Sequence, residues 1–373
     1  MLSRKSLVVV LALSLVVTLA ASADTLSGGN RLVGLQNNDG GWDWELDDGD
    51  KTTGSALNTI GPIATGLAQA YRAAASGAEK DAMETALAKA GSLLLSKTAF
   101  SPSDGYLAAE LDSVFGGTTY TQYVQTNFYD KLATGTYDRN GTLYDTASYV
   151  SSIGTSRAAG GIANLAAWDI GMGLYAAQQV GADTTAWIAG LKSEINELSS
   201  SGYYDVIGLA GAVLGLASVG EDFDPTAGEH AAADSLGDLA DILASYQIDG
   251  GGFAWNAGYV IPNDSNETIQ ETAYALLALN AAQGATGRDY SAEIAGAGAY
   301  LSLVQLATGG WENYTASGEN NEITGEALWA LGALGSPTGP GIPQGQPVPE
   351  PTSLALLGLG LAGLGLRRSR KRG

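Results

Sequence analysis

The chain has 373 residues, with 39 acidic residues against 18 Lys and Arg, which gives a formal net charge of −21 at pH 7. A surface this acidic repels nucleic acid and anionic lipid, so neither is expected as a partner. The chain contains no Cys and a single His, His230, which excludes disulfides, thiolate metal sites and His-rich metal clusters. His230 lies in a polar segment without a nucleophile motif, and we expect it to be exposed in the first turn of a helix.

Residues 1–23 have the three parts of a secretory signal peptide. Arg4 and Lys5 precede an apolar run over residues 7–20, and the small-residue sequence ASA follows at 21–23. The sequence therefore predicts export, with signal peptidase as a processing partner. A retained N-terminal anchor is the alternative, although the apolar run is short for a membrane span.

Between residues 24 and 335 the sequence is rich in Ala, Leu and Gly, and apolar residues recur at helical spacing. Some expected helices carry charge along one face, whereas others are apolar almost all round. This alternation predicts an all-α domain over 24–335, an α/α toroid of helix-pair repeats with six inner and six outer helices. In chain order, the expected helices cover residues 26–36, 57–76, 79–97, 105–115, 119–132, 162–180, 184–198, 203–219, 229–247, 268–282, 291–306 and 322–334.

The connections that lead from an outer to an inner helix are mostly long, and in a toroid they share one rim. Long loops on a rigid scaffold commonly carry binding and catalytic residues, so this rim is the expected functional face. The connections cover residues 37–56, 98–104, 133–161, 248–267 and 307–321.

One short pattern occurs three times, as QNNDGGW at 36–42, QIDGGGF at 247–253 and QLATGGW at 305–311. These segments resemble the repeats of the terpenoid cyclase and protein prenyltransferase superfamily, which implies an α/α toroid with a central cavity. We expect the Gln side chain to bond the backbone at the start of the next helix, the glycines to allow close approach, and Trp42, Phe253 and Trp311 to be packing anchors. Trp44 and Trp255, next to two of these anchors, are candidate ligand-binding residues on the rim.

The catalytic motifs of the resembled superfamily do not occur in this chain. Its triterpene cyclases use D-x-D-D, whereas residues 47–50 read DDGD in a polar loop. The D-D-x-x-D motif that holds Mg²⁺ is absent from the expected helices, and the Cys of the zinc-dependent and thioester branches is absent from the chain. The acidic loop from Asp43 to Asp50 could bind Ca²⁺, although it departs from the EF-hand order and could equally be a solvated loop. No other metal or cofactor is expected.

A set of carboxylates is expected at or near the starts of successive inner helices. If they converge on one rim, a pair could act as general acid and base on a glycosidic bond, with aromatic residues as stacking platforms. Acidic residues near helix N-termini are also stabilised by the helix dipole, which is a purely structural alternative. The carboxylates are Asp112, Asp169, Asp205, Glu271 and Glu326, and the aromatic platforms are Trp168, Tyr204, Tyr274 and Trp329.

The C-terminus has a Pro- and Gly-rich linker over residues 336–348, followed by a segment over 349–373. This segment reads PEP at 349–351, then an apolar run over 354–366 and a basic cluster. It resembles the PEP-CTERM sorting signals of bacterial envelope proteins, which implies recognition by an exosortase-type membrane enzyme and removal of the tail. An ordinary tail anchor is the alternative, although the apolar run spans only about 20 Å as a helix.

These observations predict an exported, envelope-anchored toroid that is non-catalytic or ligand-binding. The first alternative is a carbohydrate-active hydrolase or lyase that uses the inner carboxylates, with an extracellular glycan as its substrate. The second is a terpenoid-acting, cyclase-like enzyme, which would need a deep apolar cavity with one buried acid.

Overall fold

The structure is a computed structural model that describes residues 25–44, 51–52, 54–261 and 265–334. The predicted signal peptide, linker and sorting segment therefore lie outside the described residues. In chain order the helices are α1 (25–35), α2 (Ile60–Ala73), α3 (Ala78–Ser96), α4 (Ser103–Phe115), α5 (Thr119–Val124), α6 (Asp130–Ala133), α7 (Thr146–Ala159), α8 (Leu165–Gln179), α9 (Thr185–Ile195), α10 (Asp205–Val219), α11 (Leu236–Ala244), α12 (Ile269–Thr286), α13 (Ser291–Leu303) and α14 (Asn321–Ala333). A π-helical turn, Gln125–Tyr129, joins α5 to α6.

Within the residues that the structure describes, three two-stranded antiparallel hairpins lie between the helices. They are short because each only closes a connection, and together they leave the fold class all-α. The strands are β1 (Tyr137–Arg139) with β2 (Thr142–Tyr144), β3 (Phe253–Ala254) with β4 (Glu267–Thr268), and β5 (Trp311–Glu312) with β6 (Glu319–Asn320).

The even-numbered helices from α2 to α14, except α6, form a closed inner ring. α2, α4, α8, α10, α12 and α14 pack side by side in that order, and α14 packs back against α2. α3, α9, α11 and α13 each lie outside, against the two inner helices that flank them in the chain. The predicted α/α toroid is therefore confirmed for the described residues.

Glycines allow the inner helices to approach each other closely. A Cβ atom on Gly211 of α10 would lie 2.5 Å from the Trp168 Cα atom of α8, and one on Gly215 would lie 2.7 Å from the Gly171 carbonyl oxygen. The later residue of α10 in these two contacts lies against the later residue of α8, so the two helices run parallel. The same forward register relates α2 to α14. These helices were predicted to be inner helices because they are apolar and rich in small residues. The small residues thus determine the distance between neighbouring helices of the ring.

Gly171→Ala is expected to reduce the free energy of unfolding by about 1–3 kcal/mol, because the added methyl would overlap the Gly211 carbonyl oxygen. Gly284→Ala is the matched control. Gly284 lies in α12 with open space around its Cα, so alanine should stabilise the helix by about 0.5–1 kcal/mol. Urea unfolding of both variants measures the difference, and a stabilising Gly171→Ala would contradict the close helix contact.

The three Gln residues of the repeated pattern bond the turn that follows them. Gln36 donates to the Gly40 carbonyl at 2.9 Å and to the Ala86 carbonyl of α3 at 2.8 Å. Gln247 makes the equivalent two bonds, to its own turn and to α13. Gln305 donates to its turn at 2.8 Å. Each Gln therefore bonds the backbone as predicted, but it bonds its own turn rather than the start of the helix that follows. In the first two repeats it also ties one outer helix to the next.

The predicted aromatic anchors are also confirmed, because Trp42, Phe253 and Trp311 are fully buried. The Trp42 indole donates to the Leu32 carbonyl of α1 at 2.8 Å, and the Trp311 indole donates to the Leu301 carbonyl of α13 at 2.9 Å. Each of the two tryptophans therefore fixes its turn against the helix that precedes it.

The connection at 133–161 is not the long loop that we expected. It contains the β1–β2 hairpin and the helix α7, which packs against α8 and α9 outside the ring. Asp145 and Ser148 form a capping box at the start of α7, in which each side chain bonds the backbone of the other. The helix shows little apolar periodicity because it buries mainly Tyr149 and Val150.

The expected helix at 229–247 is shorter than predicted, because Ser235 caps α11 and the chain before it is irregular. The prediction for His230 was wrong. His230 lies outside the helix and is buried, and burial lowers the pKa of its imidazole. Within the described residues, no helix is long and apolar enough to cross a membrane.

Candidate functional site

The connections into the inner helices contact one another around one rim of the toroid. Each bond joins the entry of one inner helix to the entry of its neighbour, so the rim from α8 round to α2 is continuous. The bonds are Asn164 Nδ2 to Ser199 O at 2.9 Å, Asn256 Nδ2 to Gly202 O at 3.4 Å, Ile269 N to Asn313 O at 2.8 Å, and Asn321 N to Trp44 O at 3.3 Å.

This rim carries most of the large apolar side chains that the described residues expose. Concentrated exposed apolar surface usually marks an interaction site, whereas scattered single residues do not. Phe115, by contrast, lies at the far end of α4. The exposed rim residues are Trp44, Leu57, Tyr203, Tyr259, Ile261 and Tyr314.

Three of the rim aromatics form what we call the rim cluster, namely Tyr203, Trp255 and Tyr259. The Trp255 ring centroid lies 5.3 Å from that of Tyr203 and 5.8 Å from that of Tyr259, with nearly perpendicular planes. Tyr203 is 61% exposed and Tyr259 is 45% exposed, while Trp255 is half-buried between them. The cluster therefore presents rigid aromatic surface to solvent where the connections before α10 and α12 meet.

Tyr204, a predicted ligand-binding residue, directly precedes α10 in the left-handed conformation, with φ of 62°. This conformation is costly for a residue with a Cβ and is held only by its surroundings. It turns the chain into α10, so that Tyr203 stays on the surface while Asp205 enters the interior. Tyr204 itself is half-buried.

Asp205, a predicted catalytic residue, is 0% exposed beneath the rim cluster. Neither carboxylate oxygen has a hydrogen-bond partner of good geometry among the described residues. Burial raises the pKa of Asp205 to about 7, although the nearby Tyr246 hydroxyl and Ala257 amide oppose the shift. This carboxyl is therefore largely protonated at mildly acidic pH.

Asp169 and Asp112 have other partners. Asp169, the fifth residue of α8, forms an ion pair with Arg157 of α7 at 2.5 Å. The prediction that Asp112 lies near the start of an inner helix was wrong, because it lies in the last turn of α4. There it accepts bonds from the Tyr120 and Thr121 amides and so caps α5.

Glu326 of α14 is fully buried, as Asp205 is. It accepts hydrogen bonds from the Tyr274 hydroxyl and from Gln270 Nε2, the latter at 3.1 Å. Burial, and then the neighbouring charge of Glu322, raise the pKa of Glu326 well above its ordinary value. Both effects disfavour the ionised form of Glu326.

Two further carboxyls lie near Glu326. Glu271 of α12 is buried with its Oε2 atom unbonded among the described residues, and burial raises its pKa. Burial raises the pKa of Glu322 to about 6, against a hydrogen-bonding interaction with the Trp44 side chain. The charges of Glu322 and Glu271 both disfavour ionisation of Glu326.

The predicted stacking residues Trp168, Tyr274 and Trp329 pack against other aromatic side chains inside the ring. The Trp168 and Tyr274 ring centroids lie 3.6 Å apart, and Trp329 stacks on Tyr106 at 5.1 Å. Tyr175 lies 6.2 Å from Trp329. Tyr274 and Trp329 are buried, so an aromatic surface for an external ligand is offered on the rim rather than here.

The structure adds residues that the sequence did not single out. Tyr106 and Tyr175 join the interior aromatic group, and Glu322 joins the acids. Tyr203 and Tyr259 complete the rim cluster. The signal for Tyr203 was its position directly beside the candidate Tyr204, whereas Tyr259 lies in a polar loop without a motif.

The predicted calcium loop lies largely at residues 45–50, outside the described residues. At its described start, Asp43 accepts a hydrogen bond from Asn37 at 3.0 Å. Over the described ranges, no group of three or more His, Asp or Glu side chains is placed to hold a metal ion. Calcium binding by this loop stays a prediction.

Residues 347–371 match the PEP-CTERM protein-sorting motif. No curated protein matches the chain. Among solved structures, the chain is similar to a protein from Actinoplanes, with 16% identity, a TM-score of 0.49, and coverage of 83% of this chain and 98% of that one. It is also similar to a variant of the type II terpene cyclase MstE from Scytonema in complex with geranylgeranyl dihydroxybenzoate, with 15% identity, a TM-score of 0.48, and coverage of 85% and 97%.

The chain thus combines an all-α toroid with a PEP-CTERM sorting signal. The signal implies export, recognition by exosortase-type sorting machinery and C-terminal anchoring through that machinery.

Proposed function

We propose that this protein is a non-catalytic envelope protein that binds an extracellular glycan through the rim cluster of Tyr203, Trp255 and Tyr259. The observation that supports the proposal is the exposure of these aromatic side chains on the rim that bears the long connections. Tyr and Trp combine a rigid apolar face with a polar tip, so they can contact the C–H face of a sugar ring and still bond its hydroxyls.

The charge of the protein fits a neutral or basic glycan. The net charge of −21 disfavours anionic polymers at any distance where screening is incomplete. Close to the cluster, the Trp255 Nε1 atom is buried and has no hydrogen-bond partner among the described residues. It is a donor that a ligand oxygen reaching it would satisfy.

The state of the carboxyls supports binding without turnover. Glycoside hydrolysis needs two carboxyl groups that both reach one glycosidic bond, about 5–10 Å apart. Asp169 is engaged by Arg157, whereas Asp205, Glu271 and Glu326 are buried. The carbohydrate-active alternative is therefore the less well supported of the two.

Tyr203→Ala and Trp255→Ala are expected to weaken glycan binding at least tenfold, which corresponds to about 1.4 kcal/mol each. A glycan array with the purified full chain selects the ligand, and calorimetry then measures the dissociation constants. Tyr314→Ala, another exposed aromatic of the same rim outside the cluster, is the control and should stay within twofold. Unchanged affinity in both cluster variants, or no glycan bound by the wild type, would contradict the proposal.

A second candidate function is protonation of an apolar, unsaturated substrate. The observation that favours it is Glu326, a buried carboxyl with a raised pKa that bonds the Tyr274 hydroxyl and lies near Tyr106. Incubation with prenyl substrates and product analysis would test it. Product formed by the wild type and lost in Glu326→Gln would favour this enzyme over the binding protein.

A further inference from the structure

The rim cluster lies in a part of the chain that has no basic residues. Between Lys192 and Arg288 the sequence contains no Lys or Arg, whereas Asp and Glu recur throughout this segment. Tyr203, Trp255 and Tyr259 all belong to it. A surface built from such a segment attracts cations.

Asp205, directly beneath the rim cluster, is a buried acceptor without a positive partner. Its side chain is 0% exposed, and neither carboxylate oxygen has a hydrogen-bond partner of good geometry among the described residues. The groups that act on it are the Tyr246 hydroxyl, the Ala257 amide and the charge of Glu229, and none of these is a cation. A buried polar group that is left unpaired costs free energy, so a donor that reached Asp205 would be bound favourably.

A second unpaired polar atom belongs to the same contact between the connections. The Trp255 Nε1 atom is buried and has no hydrogen-bond partner among the described residues. The Trp255 ring packs on the ring of Tyr203, two residues before Asp205. The Ala257 amide that acts on Asp205 lies two residues after Trp255. An unpaired donor of one connection and an unpaired acceptor of the other therefore lie where the two connections meet.

The hydrogen bond that spans this contact is weak. Asn256 Nδ2 donates to the Gly202 carbonyl at 3.4 Å, which is long for an N–H donor. The ring contacts on either side of Trp255 are edge-on and lie on the exposed rim. A small separation of the two connections would bring the Asp205 carboxyl and the Trp255 Nε1 atom to the base of the rim cluster.

We propose that the glycan bound by the rim cluster carries free amino groups, and that Asp205 selects this glycan by pairing with one of its ammonium groups. The inference rests on the proposed function and narrows the ligand to a basic glycan. An amino sugar has both of the groups that the contact lacks, because its ammonium donates to a carboxylate and its hydroxyl oxygens accept from an indole.

The charge of the ammonium group is what separates this ligand from its acetylated form. Hydrogen bonds between an ammonium and a carboxylate are shorter than neutral ones and about twice as strong. An N-acetyl group at the same position offers one neutral amide donor and a bulky methyl group instead. The same sugar chain should therefore bind more weakly when its amino groups are acetylated.

Calorimetry of the full chain at pH 7 tests the inference, with the hexamer of glucosamine and the hexamer of N-acetylglucosamine as the two probes. Salt at about 0.15 M screens attraction to the acidic surface as a whole. The wild type should bind the amino hexamer at least tenfold more tightly than the acetylated one, and Asp205→Asn should bring this ratio close to one.

Asp81→Asn is the matched control, because Asp81 is an exposed acid on α3, and α3 packs against α2 and α4 on the opposite side of the ring from α10 and α12. This variant should keep the ratio of the wild type. An unchanged ratio in Asp205→Asn, with unchanged helicity by circular dichroism, would overturn the inference and assign the selection to the acidic surface.

The wild type alone separates a failure of the inference from a failure of the proposed function. Equal affinity for the two hexamers would overturn the selection of amino groups, while the rim cluster would still be a glycan-binding surface. If the wild type bound neither hexamer but bound another glycan on the array, the inference would be overturned in the same way. If it bound no glycan at all, the proposed function and the inference would both be overturned.

Discussion

Trp42→Ala is expected to lower the free energy of unfolding by about 3–5 kcal/mol, the usual cost of removing a large buried aromatic side chain. Trp42 is fully buried, and its indole donates to the Leu32 carbonyl of α1. The variant would lose the packing of the side chain and leave that carbonyl without its partner. Urea unfolding followed by far-UV circular dichroism measures the change, and Trp311→Ala should give a similar value because Trp311 makes the equivalent contact to α13.

Tyr314→Ala is the matched control, because Tyr314 is an aromatic residue that is 57% exposed. Surface substitutions of this kind usually change stability by less than about 1 kcal/mol. A loss for Trp42→Ala no larger than for Tyr314→Ala would show that the turn is not fixed by its aromatic anchor.

The three repeated turns, each with a Gln before the glycines and an aromatic residue after them, were predictable because their geometry tolerates few residue types. Gly40, Gly251 and Gly309 all adopt positive φ, between 91° and 98°, which glycine adopts without strain. A Gln at a fixed distance before them can reach the turn carbonyl, and the aromatic after them reaches the preceding helix. The local spacing of these residues therefore determines the shape of the turn, and the turn determines where an outer helix meets the next inner helix.

The helix α7 was not predictable from apolar periodicity, because it covers the ring from outside and buries little of its own surface. The capping residues Asp145 and Ser148 were the available signal, and they are common in turns as well.

The candidate site was predictable in position but not in environment. The apolar pattern placed Asp205, Glu271 and Glu326 near the starts of inner helices, and the structure agrees. Whether a carboxyl is paired, buried or open depends on residues distant in the chain. Tyr274, for example, lies 52 positions from the Glu326 that it bonds. Partners this distant in the chain cannot be predicted from the local spacing of residues.

The free energy of unfolding of Glu326→Gln, compared with that of the wild type at the same pH, is expected to increase as the pH rises from 5 to 8. The folded protein keeps the Glu326 proton because burial raises the pKa of this carboxyl well above the value of an unfolded chain. Between these two pKa values the unfolded state has released a proton that the folded state still holds, so stability falls as pH rises. One such group contributes a slope of up to about 1.4 kcal/mol per pH unit.

Glutamine keeps the acceptor for the Tyr274 hydroxyl and for Gln270 but carries no titrating proton, so the variant loses this contribution to the slope. The difference in unfolding free energy between Glu326→Gln and the wild type should therefore grow in favour of the variant with each pH step. Glu84→Gln, at an exposed position, should differ from the wild type by a constant amount over the same range. A constant difference for Glu326→Gln would mean that Glu326 is already ionised in the folded protein, and the acid-catalysed candidate function would lose its proton donor.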